Sequence, residues 1–175
     1  MLNKNMFNIR IIVILLTLAA ILFKFTSGIS AMTSIKEEGD TLLLKLRPVD
    51  PRALMMGDYM ALAYDDAAFA DYDEKLAAQG LLILKRDEHD VGTYIRLGDG
   101  TDLASNEIRV KYALKGSFTN IGSARYYFQE GTAEIYQDAK YGVFKVSPSG
   151  HMILVALADE NHVIIKGGDV DSDKP

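Results

Sequence analysis

The chain has no cysteine and no tryptophan among its 175 residues, and only four prolines and three histidines. Without a thiol there is no disulfide scaffold, no thiol nucleophile, no cysteinyl zinc site and no iron–sulfur cluster. An excess of basic charge is also missing: 19 Lys and Arg stand against 24 Asp and Glu, for a net charge of -5. A nucleic-acid binder needs a basic stripe to neutralise phosphates, so that class is set aside. At 49% hydrophobic residues the chain is too apolar to be disordered throughout. Its length allows one domain with an appendage.

Acidic residues are absent from the first 25 positions, which hold Lys4, Arg10 and Lys24. Taking these three from the nineteen bases leaves sixteen against twenty-four acids, so the rest of the chain carries -8. The same region contains the longest apolar run, Ile11–Phe23, interrupted only by Thr17. A helix over 7–25 would be about 28 Å long, the thickness of a hydrocarbon core, with Arg10 and Lys24 snorkelling. Bases ahead of the run set the amino terminus in the cytoplasm. A cleaved signal peptide would use Gly28-Ile29-Ser30 as its small-x-small site. Phe23, Lys24 and Phe25 make a poor approach to a peptidase, so an uncleaved signal anchor is expected over 1–25. The remainder then lies in the periplasm or otherwise outside the inner membrane.

Residues 26–40 read as a polar connector ending in a turn at Glu37-Glu38-Gly39-Asp40. Beyond it the pattern is of short strands bounded by Gly, Asp or Asn: 41–46, 59–64, 81–85, 93–97, 107–114, 124–128, 143–146, 152–157 and 163–165. Gly98-Asp99-Gly100 reads as a hairpin turn. Asp66–Ala78 is Ala-rich and stopped by Gly80, which predicts a helix. Thr132–Lys140 predicts a second, two-turn helix with Thr132 as N-cap and Gly142 just beyond. The expected fold is mainly β: one antiparallel domain over 41–166 with two short helices, one amino-terminal transmembrane helix, and a disordered tail over 167–175.

Chemistry is sparse. No Ser sits in a G-x-S-x-G frame and no Gly-rich loop cradles phosphate. His89, His151 and His162 fall in three segments with no metal-ligand spacing and read as surface residues. Asp169, Asp171 and Asp173 open like a calcium loop but lack its Gly and closing Glu, and a hairpin is the better reading of 98–102. No cofactor and no metal are expected. Six of the nine tyrosines, Tyr59, Tyr64, Tyr126, Tyr127, Tyr136 and Tyr141, crowd two regions. They read as half-buried packing, with a binding platform as the alternative.

The most distinctive stretch is 46–65. Pro48 and Pro51 flank Val49-Asp50 and fix an extended corner. Asp50 can accept from a backbone N–H there, Arg52 offers a forked donor, Asp58 is an available carboxylate, and Gly57 gives the freedom to enter the next strand. In that strand Tyr59, Ala61 and Ala63 face one way and Met60, Leu62 and Tyr64 the other. Gly57-Asp58-Tyr59-Met60-Ala61-Leu62-Ala63-Tyr64 reads GDYxxLxY and resembles the bacterial family that this pattern names. The Pro48–Arg52 lead-in is similar to that family's, and Tyr127–Val146, with Tyr127, Gly131, Tyr141 and Gly142, is similar to its second block. The resemblance implies a membrane-anchored extracytoplasmic protein without an assigned activity, found alongside a multi-pass membrane protein.

A weaker resemblance concerns scaffold. The order of Gly57-Asp58, 81–85, Tyr94-Ile95-Arg96 and the 127–144 block is similar to the boxes of type I signal peptidases. The nucleophilic Ser is missing in either register: Val49 stands in its place counting from Gly57, and Ala31-Met32 counting from Gly39. Arg96 replaces the Lys base and stays protonated. Three function classes follow: a non-catalytic membrane-anchored binding or accessory module, favoured here; a degenerate peptidase-like domain that binds extended peptides; and a hydrolase using Ser30 or Ser34 with Lys36.

Overall fold

The computed structural model describes residues 4–47, 59–65, 77–98, 102–115 and 118–167. Helix α1 runs over Lys4–Glu38, a length of about 52 Å at 1.5 Å per residue. Its span from Ile9 is long and apolar enough to cross a membrane, and none of that apolar window is buried against the rest of the chain. Thr17 Oγ1 donates to the Val13 carbonyl at 2.9 Å, so the one hydroxyl inside the apolar run is satisfied by its own helix.

The connector expected over 26–40 is helical through Glu38. Its polar residues support the helix rather than break it. Thr26 Oγ1 bonds back to the Leu22 carbonyl at 3.0 Å, and Ser34 Oγ donates to Glu38 Oε2 at 2.8 Å. The stop comes at Gly39, whose N–H donates to the Ile35 carbonyl before the chain extends into β1.

Among the described residues nine strands follow: β1 (Asp40–Lys45), β2 (Tyr59–Ala61), β3 (Gln79–Arg86), β4 (Gly92–Leu97), β5 (Glu107–Lys115), β6 (Phe118–Asn120), β7 (Arg125–Tyr127), β8 (Tyr141–Val146) and β9 (Met152–Ala158). They form antiparallel sheets ordered β1-β8-β9, β2-β7 and β4-β3-β5-β6. One inner face carries Leu42 and Leu44 of β1 with Phe144 and Val146 of β8. The other carries Leu82 and Leu84 of β3 with Ile108, Val110 and Tyr112 of β5. Each such side chain is worth about 1.5–3 kcal/mol on burial. Alternate side chains of a strand point to one face, which groups these residues; β5 alternates apolar and polar, whereas β1 and β3 are apolar on both faces. Leu43 points the other way and packs with Val143 and Ala158.

Several expectations change. The helix over 132–140 is a four-residue 3-10 turn, Ala133–Tyr136, and Thr132 does not cap it; its hydroxyl donates to the Gln129 carbonyl at 2.6 Å. Most of the helix expected over 66–78 lies outside the described residues, Ala77 and Ala78 are not helical, and Gly80 is inside β3, covered by the Tyr112 ring of β5. Strand 59–64 pairs regularly only to Ala61, and 163–165 contributes a single bridge, Ile164 to Ala158. β6 was not expected. A hairpin at 98–100 does not join β4 to β5, because both pair with β3 from opposite sides. Asp99 and Gly100 lie outside the described residues, as does the chain after Gly167.

The β1-β8-β9 and β2-β7 sheets are stitched together beyond their regular strands. Leu46 bridges Tyr64, Arg47 N donates to Ala63 O at 2.8 Å, and Asp65 N donates to Lys45 O at 2.9 Å. The result is a run β9-β8-β1-β2-β7 that does not close among the described residues.

Candidate functional site

Of the singled-out motif residues, Pro48, Asp50, Pro51, Arg52, Gly57 and Asp58 lie outside the described residues. The rest converge. β2 and β7 pair with Tyr59 opposite Tyr127, Met60 opposite Tyr126 and Ala61 opposite Arg125, so the motif strand lies on the strand that leads into the second block. Met60 and Leu62 are buried with Tyr136 and Leu157, as alternate positions of one extended strand require.

Tyr64 is the structural end of the motif. Its hydroxyl donates to the Ser123 carbonyl at 2.6 Å, and its ring lies 5.7 Å from that of Phe144. Burial raises the Tyr64 hydroxyl well above the ordinary tyrosine range. Gly142 makes room for it: a Cβ there would meet Phe144 Cε2 at 3.1 Å, Leu154 Cδ1 at 3.3 Å and Tyr64 Cε1 at 3.4 Å. Tyr126 packs edge-on against Tyr136 at 5.2 Å, and burial, then its hydrogen bond with Tyr136, pushes its hydroxyl up to about 12. Gly131, with φ +81°, turns the chain between β7 and the 3-10 turn. These tyrosines are packing residues.

Tyr59 and Tyr127 are different. Their rings are 5.7 Å apart, the Arg125 guanidinium lies 5.2 Å from the Tyr59 ring centroid, and Tyr127 is 66% exposed. Beside them opens a groove of about 540 Å³, lined by Met32 of α1, by Arg125, Tyr126 and Tyr127 of β7, and by Met152 and Leu154 of β9. Packing thus accounts for Tyr64 and Tyr126, while Tyr59 and Tyr127 pair on the opposite side of the same two-stranded segment. Sequence reasoning missed Met32, Arg125 and the β9 residues. The available signals were Ile29 and Met32 inside an otherwise polar stretch, and a β9 sequence with no charged residue.

Tyr141 leads into a second cluster, 4.7 Å from the His162 ring, which itself stacks on His89 at 4.6 Å and 9°. Two like turns hold these histidines. Asp87 Oδ1 accepts from the N–H groups of His89 and Val91, both at 2.9 Å. Asp159 Oδ1 accepts from Asn161 at 2.9 Å and Val163 at 3.0 Å. Desolvation works against the Asp87 carboxylate, but the Val91 and His89 amides and the two imidazoles outweigh it and hold the carboxyl below its ordinary value. Among the described residues no group of three or more His, Asp and Glu is placed to hold a metal ion. Ser30 and Ser34 sit on exposed faces of α1, and Arg96 pairs with Glu107 Oε2 at 2.8 Å.

The model of the family described as GDYXXLXY protein matches residues 21–157, most of the chain. No curated protein and no solved structure matches, and nothing found supports the likeness to signal peptidases.

Proposed function

The chain belongs to the GDYXXLXY family, and from that premise and the geometry we propose that it is a non-catalytic, membrane-anchored accessory module that docks a multi-pass membrane protein. In this reading α1 is a retained anchor with its amino terminus in the cytoplasm, and the β domain stands in the periplasm. The observation that carries it is the groove between α1 and β7/β9. It shares a wall, Met32, with the same helix that is apolar enough to span the bilayer. Met32 is seven residues past Phe25, about 10 Å along the helix, so the groove opens where a membrane protein's extracytoplasmic segments emerge. Exposed Tyr127 and Arg125 beside it are residue types enriched in the energetic centres of interfaces.

The absence of cysteine makes the test clean. A single cysteine at Tyr127 in the tagged full-length chain, carrying a thiol-linked photo-crosslinker, is expected to capture a multi-pass membrane protein in native membranes. The same probe at Thr93, exposed on β4, is expected to capture none. Equal capture from both positions, or none from Tyr127, removes the docking reading. Labelling of Ser30 or Ser34 by a serine-reactive phosphonate, lost in Lys36→Met, would replace it with a hydrolase.

A further inference from the structure

The run β9-β8-β1-β2-β7 has β9 and β7 as its ends, and residues of both line one groove. Along 152–156 no strand pairs with the side of β9 away from β8 among the described residues. Farther along that edge, Ile165 N donates to Leu157 O at 2.9 Å and Ile164 bridges Ala158. The edge is thus covered at one end, while beside the groove, where α1 also approaches β9, no described strand pairs with it. Exposed edges are usually guarded by charged residues or proline. β9, MILVALA, has neither.

We propose that this groove receives an extended segment of a membrane partner as an added strand on β9, apolar at alternate positions and bearing a carboxylate near Arg125. The proposal rests on the docking reading and supplies its binding mode and the ligand's chemistry.

Charge and continuity choose the occupant. Met32, Tyr126, Met152 and Leu154 give the groove an apolar wall, so one face of the incoming strand is apolar. Arg125 is exposed, and no carboxylate among the described residues forms an ion pair with it, so the complementary charge is negative. Phe25, Ile29 and Met32, at 70%, 59% and 66% exposure, repeat at i, i+4 and i+7 and lie on one helix face. Ile29 and Met32 are the only large apolar side chains between 26 and 34. They extend the lipid-facing surface of α1 upward to the groove. A chain leaving the bilayer beside α1 meets this stripe first and the β9 edge next.

The test uses the full-length chain in detergent micelles and a synthetic probe, acetyl-Thr-Val-Glu-Val-Thr-Val-amide. Controls are the peptide with Lys in place of Glu, and two versions N-methylated on alternate amides, one for each strand face. Amide exchange at Met152–Ala156 is expected to slow about tenfold or more with saturating Glu peptide, as added strand hydrogen bonds require. The N-methylated version that blocks the pairing face is expected not to bind. Arg125→Glu is expected to weaken the Glu peptide about fivefold and to strengthen the Lys peptide by a similar factor, the size of an exposed ion pair. Protection elsewhere than β9, tolerance of both N-methylated versions, or indifference to the charge swap each overturns strand addition. Capture of a partner at Tyr127 alongside failure of the peptide would leave docking in place and remove this binding mode; failure of both would remove both.

Discussion

Within the GDYxxLxY motif the two tyrosines, Tyr59 and Tyr64, do opposite work. Tyr64 donates its hydroxyl to the half-buried Ser123 carbonyl, while Tyr59 carries Arg125 over its ring beside Tyr127. Tyr64→Phe leaves the Ser123 carbonyl without its donor and is expected to cost about 1–2 kcal/mol in a urea melt. Tyr59→Phe is expected to cost less than about 0.5 kcal/mol, as a surface change does. Gly142→Ala crowds three side chains at once and is expected to cost about 1–3 kcal/mol. Gly28→Ala, with nothing within 4 Å, is expected to leave the melt unchanged or raise it. The pH dependence has a definite sign. Tyr126 ionises near 12 when folded, above the unfolded value near 10. Below pH 10 it contributes fully; from 10 to about 12 the unfolded chain loses protons that the folded one keeps, and stability falls. Comparing absorbance at 295 nm between the parent chain and Tyr126→Phe should show one phenolate step near pH 12 missing from the variant. The strand alternation at 59–64 was legible because burial follows period 2. The division between a packing and a surface tyrosine was not, since it depends on β7 lying alongside β2.

Among the elements, the turns and joints were hardest to read. Ser, Thr and Gly between 26 and 34 look like a linker. In the helix Thr26 and Ser34 bond within one turn, and no proline stops the chain before Gly39. The joint at Gly39 is tight: a Cβ there would collide with the Ile35 carbonyl and lie 3.0–3.1 Å from the Val146 backbone, and Lys145 Nζ donates to the Gly39 carbonyl at 3.1 Å. Gly39→Ala is expected to lower the melting temperature of the domain more than Gly28→Ala raises it, because backbone cannot move aside as a side chain can. The two five-residue turns, DEHDV at 87–91 and DENHV at 159–163, are nearly the same sequence and the same structure, with Asp90 and His162 both at φ near +60°. Asp159→Ala removes the acceptor for two N–H groups and is expected to cost about 1 kcal/mol, the size of a lost cap. For Asp87 the folded carboxyl lies below its unfolded value, so its contribution is present above about pH 4 and is lost as pH falls through the folded value. An acid titration of Asp87→Ala should therefore lack part of the stability decline that the parent chain shows.

For the whole molecule, composition and alternation made a β domain behind an apolar helix legible, and the family match bears the family reading out. Strand order was another matter. β3 holds β4 and β5 on its two sides, a pairing that depends on contacts 6 to 34 residues apart and leaves no trace in the sequence at 98–100. The open ends of the β9–β7 run were equally invisible, because an edge differs from a central strand only in what is not beside it. The proposed topology has its own check. A reporter enzyme active only outside the cytoplasm, fused after Pro175, is expected to be on, and the mature chain is expected to begin at Met1 and stay with membranes through a carbonate wash. Activity of a cytoplasm-only reporter at the same position would reverse the orientation.

The unbroken passage of α1 from the apolar span into β1 has a mechanical consequence. A flexible linker would let the domain sample a hemisphere and give any membrane partner an effective concentration set by tether length. A helix that continues to Glu38 and is clamped at Gly39 acts as a lever instead. Residues 26–38 hold the domain about 20 Å from the end of the apolar run, on a fixed heading. On the proposed membrane topology, tilt of the span, which bilayers of different thickness impose, would become sideways travel of the domain, and lipid composition would set which neighbours it reaches. Inserting four glycines after Glu38 should abolish that dependence, measurable as energy transfer between a dye on the domain and acceptors in bilayers of graded thickness.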